Sequence, residues 1–112
     1  MSVFVDDSAF AGAMAETVKA IGHPVRLRIL ALLCSGGRNV SDMASDLDIP
    51  QAIVSQQLRI LRLSRLVVAS REEGFAVYAL AEPRLVHLVA CLEGCTLHSR
   101  PARHPEESLP VI

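Results

Sequence analysis

The chain has 112 residues, of which 51% are hydrophobic and 21% are charged, with a formal net charge of −1 and three cysteines. This length suits one domain with one modest core. The composition excludes a bilayer-spanning apolar run and a uniformly basic coat for nucleic acid. The start of the chain lacks the basic residues and long apolar stretch of a signal peptide. We therefore expect a cytoplasmic protein with no membrane partner, whose thiols stay reduced.

The first part of the chain contains two predicted helices. Phe10, Met14 and Val18 recur at helical spacing, which predicts a helix over residues 9–21. Pro24 then suits the first turn of a second helix, where its missing N–H does no harm. Residues 1–8 are expected to form a flexible N-terminus.

The middle of the chain contains a predicted helix, turn, helix and hairpin in that order. A short amphipathic helix over residues 40–47, with Ser41 as its expected N-cap, precedes a turn and a longer helix over residues 51–64. Two β-rich stretches, residues 66–70 and 75–80, follow as a hairpin. The order predicts a mostly α protein with a β-hairpin wing, a shape that suits a DNA major groove and its flanking backbone.

The longer helix has two chemically different faces. At about 100° per residue, Val54, Leu58 and Leu61 fall together and are expected in the core. The opposite face is small, amide-bearing and basic, and residues 51–71 contain four arginines and no acid. Glutamine pairs with adenine edges, and arginine pairs with guanine or phosphate; the alternative is an ordinary solvated face. We expect DNA contacts from Ser41, Gln51, Ala52, Ser55, Gln56, Gln57, Arg59, Arg62 and Arg71.

Three segments resemble the ArsR family of bacterial winged-helix repressors. They read GHPVRLRIL from Gly22, VSQQLRILR from Val54, and residues 71–78. The resemblance runs from about residue 12 to about residue 95. It implies a winged helix-turn-helix domain over residues 9–98, a homodimer built on the first and last helices, and binding to double-stranded operator DNA. It also implies release by an inducer, and residues 99–112 are expected to be a loose tail.

The chain departs from the family pattern at three places. Metalloid-sensing members carry a Cys-x-Cys pair where this chain has Asn39 and Ser41. A glycine usually ends the recognition helix where this chain has Arg65, which predicts a strained backbone or a different helix end. The wing turn carries Glu72 and Glu73, so it is less basic than a phosphate-binding wing.

The predicted last helix, residues 84–98, holds most of the reactive side chains. His87, Cys91, Cys95 and His98 are spaced 4, 4 and 3 apart and would form one stripe on a helix. Thiols and imidazoles in line suit a soft or borderline metal ion. The acid that the last-helix zinc site of some family members uses is absent.

Two thiol hypotheses stay open. Cys91 and Cys95 could bind arsenite, antimonite or copper, with Cys34 or a partner-chain residue as third ligand. Alternatively, the thiols react with persulfides or oxidants to form a disulfide or polysulfide. The sulfur-responsive branch of the family pairs a second-helix cysteine with a last-helix cysteine, which implies Cys34 as one member. No cofactor is required under either hypothesis.

Two other functions are weighed against sensing. Cysteine is often a buried packing residue, so a DNA-binding regulator with inert cysteines is the first alternative. A small thiol redox enzyme is the second, but Cys-x-x-x-Cys is one residue longer than the oxidoreductase motif and no βαβ pattern surrounds it. We therefore expect no enzymatic activity.

Overall fold

The computed structural model describes residues 2–95 and 97. Within them, six helices and three short strands follow one another in the chain. They are α1 (Val3–Asp6), α2 (Ser8–Ile21), α3 (Pro24–Leu33), β1 (Arg38–Asn39), α4 (Val40–Leu47), α5 (Gln51–Leu63), β2 (Val67–Glu72), β3 (Phe75–Leu80) and α6 (Leu85–Glu93). The predicted tail over residues 99–112 lies outside the described residues. This is a winged helix-turn-helix, as the sequence predicted.

The core lies where α3, α4 and α5 meet the base of the wing. Its largest fully buried side chains come from these helices and β2: Ile29, Leu30, Met43, Val54, Leu58, Leu61 and Val67. The three residues predicted to face inward from α5 are therefore confirmed as core. Burying such a side chain contributes roughly 1.5–3 kcal/mol, so the apolar stripe of α5 determines which of its faces remains in solvent.

The residue that caps α4 lies two positions earlier than the sequence predicted. Asn39, not Ser41, caps α4, because the Asn39 backbone is extended and its side-chain oxygen accepts a hydrogen bond of 2.8 Å from the backbone N–H of Asp42. Ser41 lies inside the first turn of α4 and is exposed. The helix boundaries themselves agree with the prediction to within one residue.

The wing is an antiparallel hairpin that extends further toward its tip than predicted. Pairing runs from Val67 opposite Leu80 to Glu72 opposite Phe75, so strand β2 continues two residues past the expected end. The turn has only two residues, Glu73 and Gly74, with φ angles of 51° and 86°. Two successive positive φ angles are typical of the tight hairpin turn whose twist matches the strands.

A third strand, β1, was not predicted. Its two residues pair with β3, Arg38 opposite Tyr78 and Asn39 opposite Val77, so β3 becomes the central strand of a sheet with the order β1-β3-β2. Gly37 precedes it, and a Cβ at that position would lie 2.9 Å from a methyl group of Val77. The strand therefore anchors the wing to the start of α4 through a close backbone approach.

Helix α1 replaces part of the segment predicted to be flexible. Ser2 caps it, and the ring of Phe4 stacks on that of Phe10 with centroids 5.4 Å apart. Both rings remain substantially exposed. None of the helices in residues 2–95 combines the length and apolar character needed to cross a bilayer.

Two arginines of α3 donate hydrogen bonds to backbone carbonyls at the C-terminal ends of α2 and α4. Arg26 donates from Nε to the carbonyl oxygen of Ala20, near the end of α2, and from Nη1 to Oε1 of Gln57 on α5 at 2.8 Å. Arg28 donates from Nη2 to the carbonyl oxygen of Leu47, the last residue of α4, at 2.7 Å. Helix ends leave such carbonyls without intrahelical partners, and a cation complements the negative end of the helix dipole.

Both helices of the helix-turn-helix end with a non-glycine residue in the left-handed region. Arg65 has a φ of 61° and Asp48 a φ of 55°. After α5, the N–H of Arg65 bonds to the carbonyl of Arg62 and that of Leu66 to Leu61, the hydrogen-bond pattern that glycine normally completes. The strained backbone predicted at Arg65 is confirmed.

We predict that Arg28→Ala lowers the free energy of unfolding by about 1.5–3 kcal/mol, because a partly buried carbonyl loses a charged donor. Urea denaturation at fixed protein concentration measures the change. Arg38→Ala is the control, since its ion pair with Asp46 spans 3.7 Å near the surface and such pairs contribute about 0–1 kcal/mol. Equal losses in the two variants would contradict the capping role.

We predict that Arg65→Gly raises the free energy of unfolding by about 0.5–1 kcal/mol. The left-handed conformation costs a non-glycine residue about 1–2 kcal/mol, and the extra freedom of glycine in the unfolded chain offsets about 0.4–1 kcal/mol of the gain. Ser64→Gly, at a φ of −85°, should instead lower stability. A less stable Arg65→Gly protein would mean that the arginine side chain stabilises the fold through contacts.

Candidate nucleic-acid interface and thiol sites

The exposed face of α5 brings together the side chains that the sequence predicted. Ala52, Ser55, Gln56 and Arg59 are all exposed, on the side opposite the buried apolar stripe. Their short or unbranched side chains allow a groove to approach the helix closely, while the amide and guanidinium groups supply donors for base edges and phosphates. The geometry therefore fits direct contact with DNA along this face.

The N-terminus of α5 adds backbone N–H donors beside this exposed face. Pro50 is the N-cap residue and provides no side-chain hydrogen bond to the first turn. Gln51, the first helical residue, is exposed. Uncapped N–H groups at a helix N-terminus attract anions, because the amides and the helix dipole both favour negative charge.

Gln57 differs from its neighbours on the predicted face. It is half-buried, and its Oε1 accepts the hydrogen bond from Arg26. Its amide oxygen is therefore engaged inside the protein, and only the amide N–H₂ is left for any DNA contact. A helical projection could not have revealed this, because the partner lies 31 residues earlier in the chain.

The flanking candidates lie in different environments. Ser41 is exposed on α4, and Arg62 is exposed one turn beyond Arg59. Arg71 folds back across the wing turn, where its Nη1 donates to the carbonyl oxygen of Gly74 at 2.8 Å. With the exposed Glu72 and Glu73 beside it, the wing tip presents more negative than positive charge.

The predicted stripe of the last helix is not continuous, and that prediction was wrong. Helix α6 ends at Glu93 and Gly94 caps it, so Cys95 lies beyond the helix. Glycine is a poor helix former and ends helices readily. His87 and Cys91 are exposed on α6, Cys95 is exposed after it, and His98 lies outside the described residues. The structure therefore places two accessible thiols around the C-terminal end of α6.

Cys34 has a different chemical character. It is half-buried at the end of α3, and its Sγ donates to the carbonyl oxygen of Leu30 at 3.3 Å. Burial raises the pKa of the Cys34 thiol, and the negative charge of Glu93 on α6 raises it further. Because the thiolate is the nucleophile, a raised pKa makes Cys34 less reactive at neutral pH.

The part of the chain that the structure describes offers no ready-made metal centre. No three side chains of histidine, cysteine, aspartate or glutamate within it lie close enough together to hold a metal ion. A soft ion bound by Cys91 and Cys95 would therefore need another ligand, from a second chain or from the residues beyond those described.

Comparison with known proteins agrees with the geometry. The model of the family "Bacterial regulatory protein, arsR family" matches residues 23–68. The HTH-type transcriptional regulator NmtR of Mycobacterium tuberculosis is 38% identical over 93 residues, which is 83% of this chain and 75% of the relative. The biofilm growth-associated repressor of Agrobacterium fabrum is 35% identical over 79 residues, covering 70% of this chain and 68% of the relative.

Solved structures show the same fold. The transcriptional repressor BigR of Xylella fastidiosa superposes with a TM-score of 0.75 at 30% identity, covering 88% of this chain and all (100%) of that one. The homodimeric winged helix-turn-helix domain of Mb0332 from Mycobacterium bovis superposes with a TM-score of 0.69 at 30% identity. The match covers 77% of this chain and 80% of that one.

The fold and these relatives together define a winged helix-turn-helix transcriptional regulator, a class of DNA-binding protein. The chain belongs to the ArsR family of bacterial regulatory proteins.

We predict that Cys34 is the slowest of Cys34, Cys91 and Cys95 to react with iodoacetamide at pH 7. Its rate should keep rising above the ordinary pKa of a thiol, because its raised pKa delays formation of the thiolate. Mass spectrometry of timed samples measures each site. Glu93→Gln should accelerate Cys34 alone, and an unchanged rate in that variant would show that the Glu93 charge does not reach the thiol.

Proposed function

We propose that this chain is a cytoplasmic transcriptional repressor that binds operator DNA as a homodimer and is released by a thiol-directed inducer acting at Cys91 and Cys95. The observation that carries the proposal is the exposed polar face of α5, held between α4 and the wing. The inducer is either a soft metal or metalloid ion or a reactive sulfur species or oxidant.

Charge distribution supports DNA binding despite the slightly acidic chain. Arg59 and Arg62 are exposed on α5, and neither forms an ion pair with a carboxylate of the described residues. Local positive charge can attract phosphates even on a protein whose net charge is negative. Under this proposal, phosphate contacts would hold the protein on the duplex, while Gln56 and Arg59 would read base edges.

Exposed apolar side chains support the homodimer. Phe10 and Val18 on α2 are 42% and 56% exposed, and Leu88 and Leu92 on α6 are 38% and 46% exposed. Both helices contact α3, and exposed apolar side chains of this kind are typical of a protein interface. The similar Mycobacterium bovis domain is homodimeric. A two-fold dimer would present two copies of α5 to half-sites about 34 Å apart on one face of the duplex.

The positions of the two accessible thiols support a switch at the proposed interface. Cys91 lies on α6 between Leu88 and Leu92 in the sequence, and Cys95 follows the capping residue Gly94. An oxidant that accepts two electrons and two protons from a pair of thiols leaves a disulfide, which would repack the end of α6. A soft ion would instead displace thiol protons. A shift of a few kcal/mol between two arrangements of the dimer is enough to change DNA affinity.

A second candidate is a DNA-binding regulator whose cysteines are inert. Two observations favour it. Cys95 lies beyond the helix that was expected to align it with Cys91, and the described residues lack a third donor for a metal ion. Both candidates share the DNA-binding face, so the thiol variants distinguish them.

The DNA-binding half is tested with an operator selected from random duplexes. We predict that Arg59→Ala weakens binding by about 1–3 kcal/mol at fixed salt, the contribution of one good contact to a base. Lys19→Gln is the control, because it removes one exposed positive charge from α2 rather than from α5, and it should keep the wild-type affinity. Fluorescence anisotropy gives the affinities, and an Arg59→Ala protein of wild-type affinity would disprove the assignment of this face.

The sensing half is tested by titrating the DNA complex with arsenite, Cu(I), persulfide and peroxide in turn. We predict that Cys91→Ser and Cys95→Ser each bind the operator normally and lose the response to the inducer. Cys34→Ser separates the two bridging hypotheses: lost response points to a bridge between α3 and α6, and retained response to a site at α6 alone. Release of both last-helix variants by the same compound as wild type would favour inert cysteines.

A further inference from the structure

A cleft between the end of α5 and strand β2 contains two arginines that have no assigned role together. Its volume is about 430 Å³. The side chains that line it come from the last turn of α5, the loop after it and the base of the wing: Arg62, Arg65, Val67, Val68, Ala69 and Ala81. Strand β2 is an edge of the sheet, so this side of the wing is open to solvent. We call it the Arg62–Arg65 cleft.

The cleft keeps an uncompensated positive charge. Among the described residues, no carboxylate forms an ion pair with Arg62 or Arg65. Glu82, which follows the lining residue Ala81, is already bound by Arg84 through hydrogen bonds of 3.1 and 3.2 Å to its two oxygens. The acid closest to the cleft along the chain is therefore paired with another arginine, and the two arginines that line the cleft lack a carboxylate partner among the described residues.

The other lining residues are apolar. Val68 is 52% exposed, and with Ala69 and Ala81 it forms an apolar wall whose side chains carry no hydrogen-bond acceptor. Charge interactions weaken less near such a wall than in bulk water. Guanidinium groups match phosphate oxygens in planar, two-point hydrogen bonds. Paired arginines against an apolar wall therefore suit a tetrahedral oxyanion.

The backbone at Arg65 is a separate reason to assign its side chain a role. With a φ of 61°, the position favours glycine, yet it carries a long charged side chain. Nothing in the backbone hydrogen bonds that end α5 requires that side chain, because glycine would make the same bonds. Residues held in unfavourable conformations cluster where the side chain or the geometry serves binding.

We propose that the Arg62–Arg65 cleft binds a phosphate group between its two guanidinium groups. The phosphate comes either from the DNA backbone beside the recognition helix, which rests on the proposed function, or from a free phosphate-bearing molecule, which does not. Arg65 is the residue that completes the site, since Arg62 alone lies on an ordinary helix surface.

The first experiment titrates the protein without DNA with inorganic phosphate, at constant ionic strength against chloride, and follows backbone amide resonances by NMR. We expect saturable shifts confined to the loop after α5, β2 and Ala81. In Arg65→Gly and Arg62→Gln the affinity should fall on the order of tenfold, the effect of losing a charge-assisted hydrogen bond. Absence of saturable shifts in wild type, or equal shifts in Arg65→Gly, overturns the proposal.

The variants keep this test independent of folding. Arg65→Gly relieves an unfavourable backbone conformation and is expected to be at least as stable as wild type, so lost binding cannot be attributed to unfolding. Asp48→Gly is the matched control: it relieves the same left-handed conformation at the end of α4, outside the cleft, and it should bind phosphate as wild type does.

The second experiment identifies the source of the phosphate. The slope of log affinity against log salt for operator DNA should fall by about 0.9 per subunit in Arg65→Gly, or about 1.8 for the dimer, if one backbone phosphate occupies each cleft. Lys19→Gln, which removes one charge from exposed α2, should leave the slope unchanged. An unchanged slope in Arg65→Gly with intact phosphate binding in wild type assigns the cleft to a free ligand. If wild type binds no DNA, the proposed function fails while the phosphate titration still decides the cleft.

Discussion

The arrangement of the helices depends on two guanidinium groups that bind the carbonyl ends of their neighbours. Arg26 and Arg28 are two positions apart on α3, so they leave the helix on nearly opposite sides. One contacts the end of α2 and reaches α5, and the other contacts the end of α4. Apolar packing alone does not specify the angles between helices closely. Directed hydrogen bonds to helix ends do, because a misplaced end would leave its carbonyls without partners.

This constraint explains why α5 presents one particular face. The buried stripe that contains Leu58 and Leu61 packs α5 against the core. The hydrogen bond from Arg26 to Gln57 limits the rotation of α5 about its own axis. The polar face that remains is the one proposed to enter the DNA groove. Arg26 also contacts α2, a helix of the proposed dimer interface. A single side chain therefore joins the element expected to meet a second subunit to the element expected to meet DNA.

Helix α6 is held far more loosely than the helix-turn-helix. Val89 is its one buried residue among those described, and an open groove of about 260 Å³ separates parts of α3 and α6. Segments with few buried contacts rearrange at low energetic cost. The thiol of Cys91 lies on this helix and that of Cys95 lies just after it. Cys34 lies instead at the end of α3, which has three buried residues. Chemical change at the end of α6 can therefore alter packing without disrupting the core.

The sequence by itself determined the helix-turn-helix and wing, the buried stripe of α5 and the strain at Arg65, because helical periodicity and backbone preference are properties of neighbouring residues. Contacts between distant residues decided the rest. Strand β1 exists only because the wing pairs with it, and Gln57 is engaged only because Arg26 reaches it. The position of Cys95 followed from where α6 ends. Helical periodicity placed Cys95 on one stripe with Cys91, but α6 ends at Glu93 and Gly94 caps it, so the two thiols do not share a helix.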